Sequence, residues 1–177
     1  MATTEATIIP AGTWAVDPAH TTLEFAVKHL GFATIKGRAQ VTVGSIDSET
    51  IRATVDATSL TTLEPDRDRH LRTPDFFDSD RHPTLTFEST RITTDHGRLA
   101  VEGRLTIRGV TQPVVLSGTV TGTGTDPWGG ERLGLDLETV IDRRDFGVSW
   151  NEALPGGDVL VGNAVRISAS VSAVKED

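Results

Sequence analysis

The feature that most restricts the fold of this chain is the alternation of apolar and polar residues along short runs. In residues 22–28, three apolar side chains fall on one face of an extended segment: Leu23, Phe25 and Val27. Because successive side chains of a strand point to opposite faces, this period of two predicts a half-buried β-strand. Similar strands are predicted at residues 13–16, 34–43, 51–57, 85–89, 99–107, 113–125, 133–141 and 159–174.

Short turn sequences, rather than helices, join most of these runs. The clearest turn signals are Asp17-Pro18, His96-Gly97 and residues 109–113. About nine strands at hairpin spacing, without a strand–helix–strand rhythm, predict an all-β fold, either an antiparallel barrel or a strongly curled sandwich. A barrel is favoured because it leaves no strand edge unpaired. Strands of this length would give a barrel ~25 Å tall.

The interior of such a barrel has two interpretations. A barrel of about eight strands is either filled by its own side chains or just wide enough for one slender ligand. Small residues on the predicted inward faces leave room in the interior: Gly37, Ala39, Ala53, Gly103 and Ala169. The alternative is that four aromatic side chains fill that room: Phe25, Phe76, Phe77 and Phe87.

One long segment, residues 61–89, interrupts the pattern of strands. Its first part predicts a short helix over about 65–72, within a helical insert at about 65–78, because Pro65 suits a first helical turn and Thr62 could cap it. Pro74 would end the helix. Two adjacent phenylalanines follow, and at least one of them must insert into the body of the fold to leave water. The insert is therefore expected to be docked.

Composition excludes several classes of function. The 177 residues suit one domain, predicted at 13–177 after a flexible lead-in at 1–12. The absence of cysteine excludes disulfides, thiolate catalysis and cysteine-based metal sites. A formal net charge of −8 argues against nucleic acid as a partner. No apolar run approaches the ~20 residues of a membrane span, so an integral membrane protein is not expected.

The start of the sequence has neither a basic segment nor a continuous apolar stretch of the kind that signals secretion. A cytoplasmic location is therefore expected.

Catalytic motifs are weak. His20 and His29 bracket one strand at an odd separation, so they should face opposite sides and could not share a metal unless a bulge intervenes. The Asp-Phe-Gly at 145–147 lacks the other kinase motifs. It predicts a strand end where an arginine pairs with a carboxylate, Phe146 packs inward and Gly147 permits a turn. No metal, cofactor or catalytic residue is predicted.

The charged residues of the insert have two interpretations. Arg67, Asp68, His70 and Arg72 could form a salt-bridge network that fixes the insert in place. They could instead surround the mouth of a tunnel and bind the polar or anionic head group of a ligand.

Several ordered blocks of this sequence resemble the YceI-like family. They include RDRHL at 67–71, PDFFD at 74–78, PTLTFES at 83–89 and GRLTIRGVT at 103–111. Further blocks lie at 14–21, 25–29 and 142–147, so that the resemblance runs from about residue 12 to 174. Thr21 and His82 depart from the family pattern, and the second would affect the mouth of a tunnel.

The resemblance implies a lipocalin-like extended antiparallel β-barrel that holds a polyisoprenoid or similar long lipid, often as a homodimer. It implies no established catalytic residue. On this basis the tunnel lining is predicted to consist of Phe25, Val27, Val41, Phe76, Phe77, Phe87 and Leu105. The polar residues predicted at the mouth are His20, Arg67, Asp68, His70 and Arg72.

The function expected from the sequence is thus non-catalytic binding, transport, storage or sequestration of a lipid. Two alternatives stay open. One is an enzyme that acts on an isoprenoid or quinone-like substrate with His20, Asp68 or His70 as acid–base groups. The other is a stress-related structural protein with a filled barrel.

Overall fold

The computed structural model describes residues 8–177. Nine strands run through it: β1 Trp14–Val16, β2 Thr22–His29, β3 Ala33–Ile46, β4 Ile51–Thr61, β5 Thr84–Asp95, β6 Arg98–Ile107, β7 Val110–Thr125, β8 Glu131–Asp142 and β9 Val161–Lys175. The helix α1, Pro65–Leu71, lies between β4 and β5. Short 3-10 turns occupy Pro18–His20 and Arg143–Phe146. Most of the predicted lead-in, residues 1–7, lies outside the described residues.

Strands β2 to β9 close into an antiparallel barrel. Each pairs with its neighbours in the order β3-β2-β9-β8-β7-β6-β5-β4, and pairing of β4 with β3 completes the circle. The short β1 pairs with both β3 and β9, the two strands that also flank β2, and so continues the position of β2 towards one end of the barrel. The prediction of an all-β, extended antiparallel barrel of the lipocalin-like type with one short helical insert is confirmed.

Two hairpin turns have the backbone geometry that tight β-turns require. His96 and Gly97 have φ angles of 49° and 77°, and Arg108 and Gly109 have φ angles of 52° and 73°. Paired positive φ values match the twist of the flanking strands. The predicted turn at 109–113 is therefore wrong in extent: only two residues turn, and β7 already begins at Val110.

Helix α1 begins as predicted at Pro65 but uses a different cap. The carboxylate of Glu64 accepts hydrogen bonds from the backbone N–H groups of Asp66 and Arg67, so Thr62 is not the N-cap. The helix is only 7 residues long. Within residues 8–177, no helix is both long and apolar enough to cross a membrane.

The two ends of the barrel differ in packing. One end is sealed by a cluster of buried side chains: Ile9, Trp14, Ile46, Ile51, Leu99, Val101, Leu133, Leu135, Leu137 and Ala173. This is the closed end. The opposite end is covered by α1 and by the segment after β8, with a smaller cluster of Phe76, Ile107, Ile141, Phe146 and Val148. This is the helix end.

Candidate functional site

An apolar cavity of about 260 Å³ lies inside the helix end of the barrel. Strands, α1 and the segment after β8 all contribute to its wall. The apolar side chains of the wall are Leu23, Phe25, Val27, Ile35, Ala39, Val55, Leu60, Leu71, Phe76, Phe77, Leu85, Ile107, Ile141, Phe146, Val148, Trp150, Leu160, Val161, Val165 and Ile167. We call this space the upper cavity.

A second apolar cavity of about 150 Å³ lies deeper in the barrel, towards the closed end. Ile46, Ile51 and Leu135 of the closed-end cluster form part of its wall. The two cavities share five residues of their linings: Leu23, Val55, Leu85, Ile107 and Ile167. They therefore lie end to end, and we call the second one the lower cavity. Small-molecule pockets typically measure about 300–1,000 Å³, so the two together reach the lower part of that range.

Of the five small residues predicted to leave room, Ala39 lines the upper cavity and Ala53 and Ala169 line the lower cavity, whereas the space beside the two glycines is filled. The ring of Phe25 occupies the volume next to Gly37, and the ring of Phe87 occupies the volume next to Gly103. The remaining space exists because inward-facing side chains do not meet across the barrel axis. Phe25, Leu85 and Ile167 point inwards and yet remain only half-buried.

An aromatic cluster lies at the rim of the upper cavity. The His70 ring meets Phe76 edge-on, with centroids 5.0 Å apart, and meets Trp150 at 4.7 Å. Phe76 and Trp150 are themselves 5.5 Å apart. The Nε2 atom of His70 lies 2.9 Å from Oδ2 of Asp75, which orients the ring. This cluster joins α1 to the segment after β8.

A buried carboxylate fixes α1 to the end of β4. Asp68 accepts hydrogen bonds from the backbone N–H of Thr62 at 2.7 Å, from its hydroxyl at 2.6 Å and from the hydroxyl of Thr61 at 2.8 Å. Burial raises the pKa of the Asp68 carboxyl, but these hydrogen bonds outweigh that effect and hold the pKa below its usual value. Asp68 is therefore a structural anchor, and it is not part of the cavity wall.

Arg143 is a buried cation in the wall of the upper cavity. It is only 5% exposed, and its guanidinium donates to the backbone carbonyls of Gly162, Val148 and Val161. No carboxylate of the described chain forms an ion pair with it. Burial lowers the pKa of Arg143, because desolvation penalises the charged form. The neighbouring Arg144 pairs instead with Asp142 at 2.7 Å, and Phe146 packs inward, as the sequence predicted.

The cavities bring together most of the residues proposed from the sequence. The upper cavity is lined by Phe25, Val27, Arg67, His70, Phe76 and Phe77, and the lower cavity by Val41, Phe87 and Leu105. Their role in binding a ligand stays a prediction.

Three residues proposed for the mouth lie outside both linings: His20, Asp68 and Arg72. His20 lies in the 3-10 turn between β1 and β2, and its Nδ1 lies 2.7 Å from Oδ2 of Asp17. Arg72 caps the C-terminus of α1, and its backbone N–H donates to Arg69 and His70. His82, which departs from the family pattern, packs against Gly109 rather than at the cavity.

Sequence reasoning missed two notable wall residues, Trp150 and Arg143. Trp150 lies in a stretch without alternation, so nothing in the local pattern indicated its direction. Arg143 was considered only as a partner for a carboxylate. Within residues 8–177, no group of three or more histidine and carboxylate side chains is arranged to hold a metal ion.

Comparison with known proteins assigns the family. The profile of the YceI-like domain matches residues 14–173, which is nearly the whole barrel. The chain belongs to the YceI-like family. A UPF0312 protein of Vibrio cholerae serotype O1 is 38% identical over 138 residues, covering 73% of each chain. A UPF0312 protein of Pseudomonas paraeruginosa is 35% identical over 139 residues, covering 75% of this chain and 73% of that protein.

Solved structures share the same YceI-like fold. The crystal structure of Burkholderia cenocepacia BcnA superimposes with a TM-score of 0.71 at 22% identity, covering 89% of this chain and 98% of that one. A polyisoprenoid binding domain from Saccharophagus degradans, implicated in plant cell wall breakdown, gives a TM-score of 0.69 at 15% identity. It covers 92% of this chain and 98% of that domain. At these identities the likeness concerns the fold.

Proposed function

We propose that this protein binds a polyisoprenoid or similar long amphiphilic lipid inside the barrel, and that it transports, stores or sequesters that lipid without chemically changing it. The observation that carries the proposal is the pair of apolar cavities placed end to end, with a sealed closed end beyond them. Family membership and the polyisoprenoid-binding domain among the structural neighbours support it.

The shape of the interior suits a lipid tail. A tail would enter past α1, fill the upper cavity and extend into the lower cavity, with its end towards the closed-end cluster. Each buried methylene-sized group contributes roughly 0.8 kcal/mol. Several isoprene units could therefore outweigh the ~4–15 kcal/mol cost of association. Affinity would then depend mainly on tail length.

The experiment that tests the proposal is lipid analysis of the purified protein. The protein is purified without detergent, and a solvent extract is examined by mass spectrometry beside native mass spectrometry of the intact chain. A stoichiometric prenyl-type lipid is the expected result. Protein that is free of lipid and also takes up no added polyprenyl lipid would contradict the proposal.

A substitution in the lower cavity adds a second test. Phe87→Asp introduces a charge into an apolar wall, and burying an unpaired charge is costly, so lipid retention should be lost in a folded variant. Phe32→Asp is the matched control, because Phe32 is 77% exposed on the β2–β3 turn and lies outside both cavity linings. Normal retention by folded Phe87→Asp would contradict the assigned position of the tail.

Catalysis by the proposed acid–base residues has little support in their positions. His20 lies in the turn between β1 and β2, whereas His70 lies on α1, and the Asp68 carboxylate is already bound by Thr61 and Thr62. Of the three candidates, His70 lines the upper cavity, whereas His20 and Asp68 lie outside both linings, so acid–base chemistry in the cavity would rest on His70 alone. An unchanged lipid recovered after prolonged incubation with the protein is therefore expected.

A cytoplasmic location and a homodimer also stay predictions. Fractionation of cells followed by immunoblotting checks the first. Light scattering of the purified protein, with and without bound lipid, checks the second.

A further inference from the structure

The charges in the wall of the upper cavity differ in sign from the protein as a whole. The protein carries a formal charge of −8, yet Glu24 is the one carboxylate residue among the described residues of this wall. Its side chain lies 3.8 Å from Lys36 and 3.9 Å from Arg38, on the outer face of the barrel. It therefore contributes no free negative charge to the interior.

Two arginines of the same wall have no carboxylate partner in the described part of the chain. Arg143 is buried, and three of its N–H groups donate to backbone carbonyls. Because a guanidinium carries five N–H donors, the others remain for an acceptor outside the chain. Arg67 donates to the hydroxyl of Thr62 at 2.7 Å and to its carbonyl at 3.1 Å. Neutral acceptors hold both side chains in position. Asp142 acts on Arg143 only from a distance, because its carboxylate pairs directly with Arg144.

These arginines lie where a head group would be. Arg67 belongs to α1, and Arg143 lies directly after β8, so both are at the helix end of the barrel. The lower cavity, by contrast, has no arginine or lysine near the closed end apart from Arg52, whose guanidinium pairs with Glu88 on the outside. The two arginines therefore lie at the helix end of the barrel, and the apolar lower cavity extends away from them towards the closed end.

We propose that Arg143 and Arg67 bind an anionic head group, so that the preferred ligand is a long apolar chain ending in a phosphate or a carboxylate rather than in a neutral alcohol. This inference rests on the proposed lipid-binding function. Hydrogen bonds between arginine and an oxyanion are charge-assisted and roughly twice as strong as neutral ones. An anion would also relieve the cost of keeping the Arg143 charge away from water.

The test compares lipids that share a tail and differ in the head. Delipidated protein is titrated with geranylgeranyl phosphate, geranylgeraniol, oleate and oleyl alcohol in competition with one fluorescent lipid. At low salt, at least one anionic lipid should bind about tenfold more tightly than its matched alcohol. Preference for the phosphate alone, or for the carboxylate alone, supports the inference and identifies the head group.

Two other outcomes have distinct meanings. If the alcohols bind as tightly as both anionic lipids, the inference about the head group is overturned while lipid binding stands. If none of the four binds, the proposed function fails, and this inference fails with it.

Variants then test the two residues. Arg67→Gln and Arg143→Gln should each lower the affinity for the anionic lipid several-fold more than the affinity for the matched alcohol. Arg69→Gln is the matched control, because Arg69 lies on the same helix, is exposed, pairs with Asp66 and lies outside the cavity wall. Circular dichroism establishes that each variant is folded. If Arg143→Gln does not fold, Arg67→Gln and Arg143→Lys replace it, and an unchanged preference in both would overturn the assignment.

Discussion

The ring of Phe25 fills the space that a side chain on Gly37 would need. The two residues are direct partners across β2 and β3, and a Cβ atom on Gly37 would overlap the ring. Phe87, whose direct partner is Leu105, lies diagonally over Gly103, where a Cβ atom would come within 2.5 Å of the ring. A glycine weakens a strand, and an aromatic ring laid across it from the next strand compensates for the missing side chain. These pairs flatten both rings against the wall of the barrel.

Gly37→Ala should therefore destabilise the protein by about 1–3 kcal/mol, because the added methyl group forces the Phe25 ring out of its position. Urea unfolding measures this change. Gly122→Ala is the control, since nothing lies within 4 Å of a Cβ atom placed there. Combining Gly37→Ala with Phe25→Leu should cost less than the sum of the two single changes. Strict additivity would mean that the ring and the glycine do not interact.

The strands were the most predictable part of the structure. Strand β2 was predicted at 22–28 and runs from Thr22 to His29. The prediction was accurate because one face of the strand packs on apolar side chains and the other faces water along its length. The site was less predictable. The alternation of apolar and polar residues indicates that Phe25 and Leu105 face inwards. It does not indicate whether opposing side chains meet across the barrel.

The ends of the barrel show why local patterns were insufficient there. Thr62 and Glu64 can both accept from backbone N–H groups, so the sequence did not decide between them as the cap of α1. In the structure the hydroxyl of Thr62 is taken by Asp68, which leaves Glu64 as the cap. Trp150 reaches the cavity only because a long connection folds back over the barrel end. Such positions depend on tertiary packing.

Asp68→Ala should destabilise the protein by about 3 kcal/mol, since it removes a charged acceptor from three hydrogen bonds at the end of β4. Chemical unfolding is the measurement. The control is Asp66→Ala on the same helix, which breaks only an exposed pair with Arg69 and should change stability by less than about 0.5 kcal/mol. Equal losses of stability in the two variants would show that Asp68 does not anchor α1 to the end of β4.

Trp150 should report ligand entry by its fluorescence. It lines the upper cavity, whereas Trp14 is buried at the closed end and Trp128 is 87% exposed. Adding a prenyl lipid should therefore change the emission of the wild-type protein, and the Trp150→Phe variant should lose most of that change. Trp128→Phe should keep it. A full response in Trp150→Phe would place the lipid away from the helix end.

Acid should weaken the contact that Asp17 makes near the closed end. Its Oδ2 atom lies 2.7 Å from Nη1 of Arg132, and hydrogen bonds from Arg132 and His20 lower the pKa of Asp17 from 3.8 to about 2. Since the folded protein holds this carboxylate ionised, the contribution to stability is fully present above about pH 4 and is lost as the pH falls towards 2.

Urea unfolding of the wild type and of Asp17→Asn measures this contribution. The wild type should be the more stable protein at pH 6, and the difference should shrink steadily between pH 4 and 2. A difference that is independent of pH would show that the charge of Asp17 is unimportant.

Tail length should matter only if the upper and lower cavities connect when a lipid binds. Leu85 and Ile167 belong to both linings and therefore lie at the boundary between the two spaces. Leu85→Trp places a larger side chain at that boundary and should block the lower cavity. A C10 prenyl alcohol, short enough for the upper cavity, should bind nearly as well as to the wild type. A C20 prenyl alcohol should lose affinity by roughly 0.8 kcal/mol for each methylene group that can no longer be buried.

Competition binding with the two alcohols measures the effect, and Val43→Trp is the control. Val43 is 61% exposed on β3 and lies outside both cavity linings, so this substitution should alter neither affinity. An equal loss for both alcohols in Leu85→Trp would mean that the upper cavity itself was disturbed. Unchanged binding of the C20 alcohol would mean that the tail does not pass the boundary, because a chain confined above Leu85 cannot be affected by closure of the space below it.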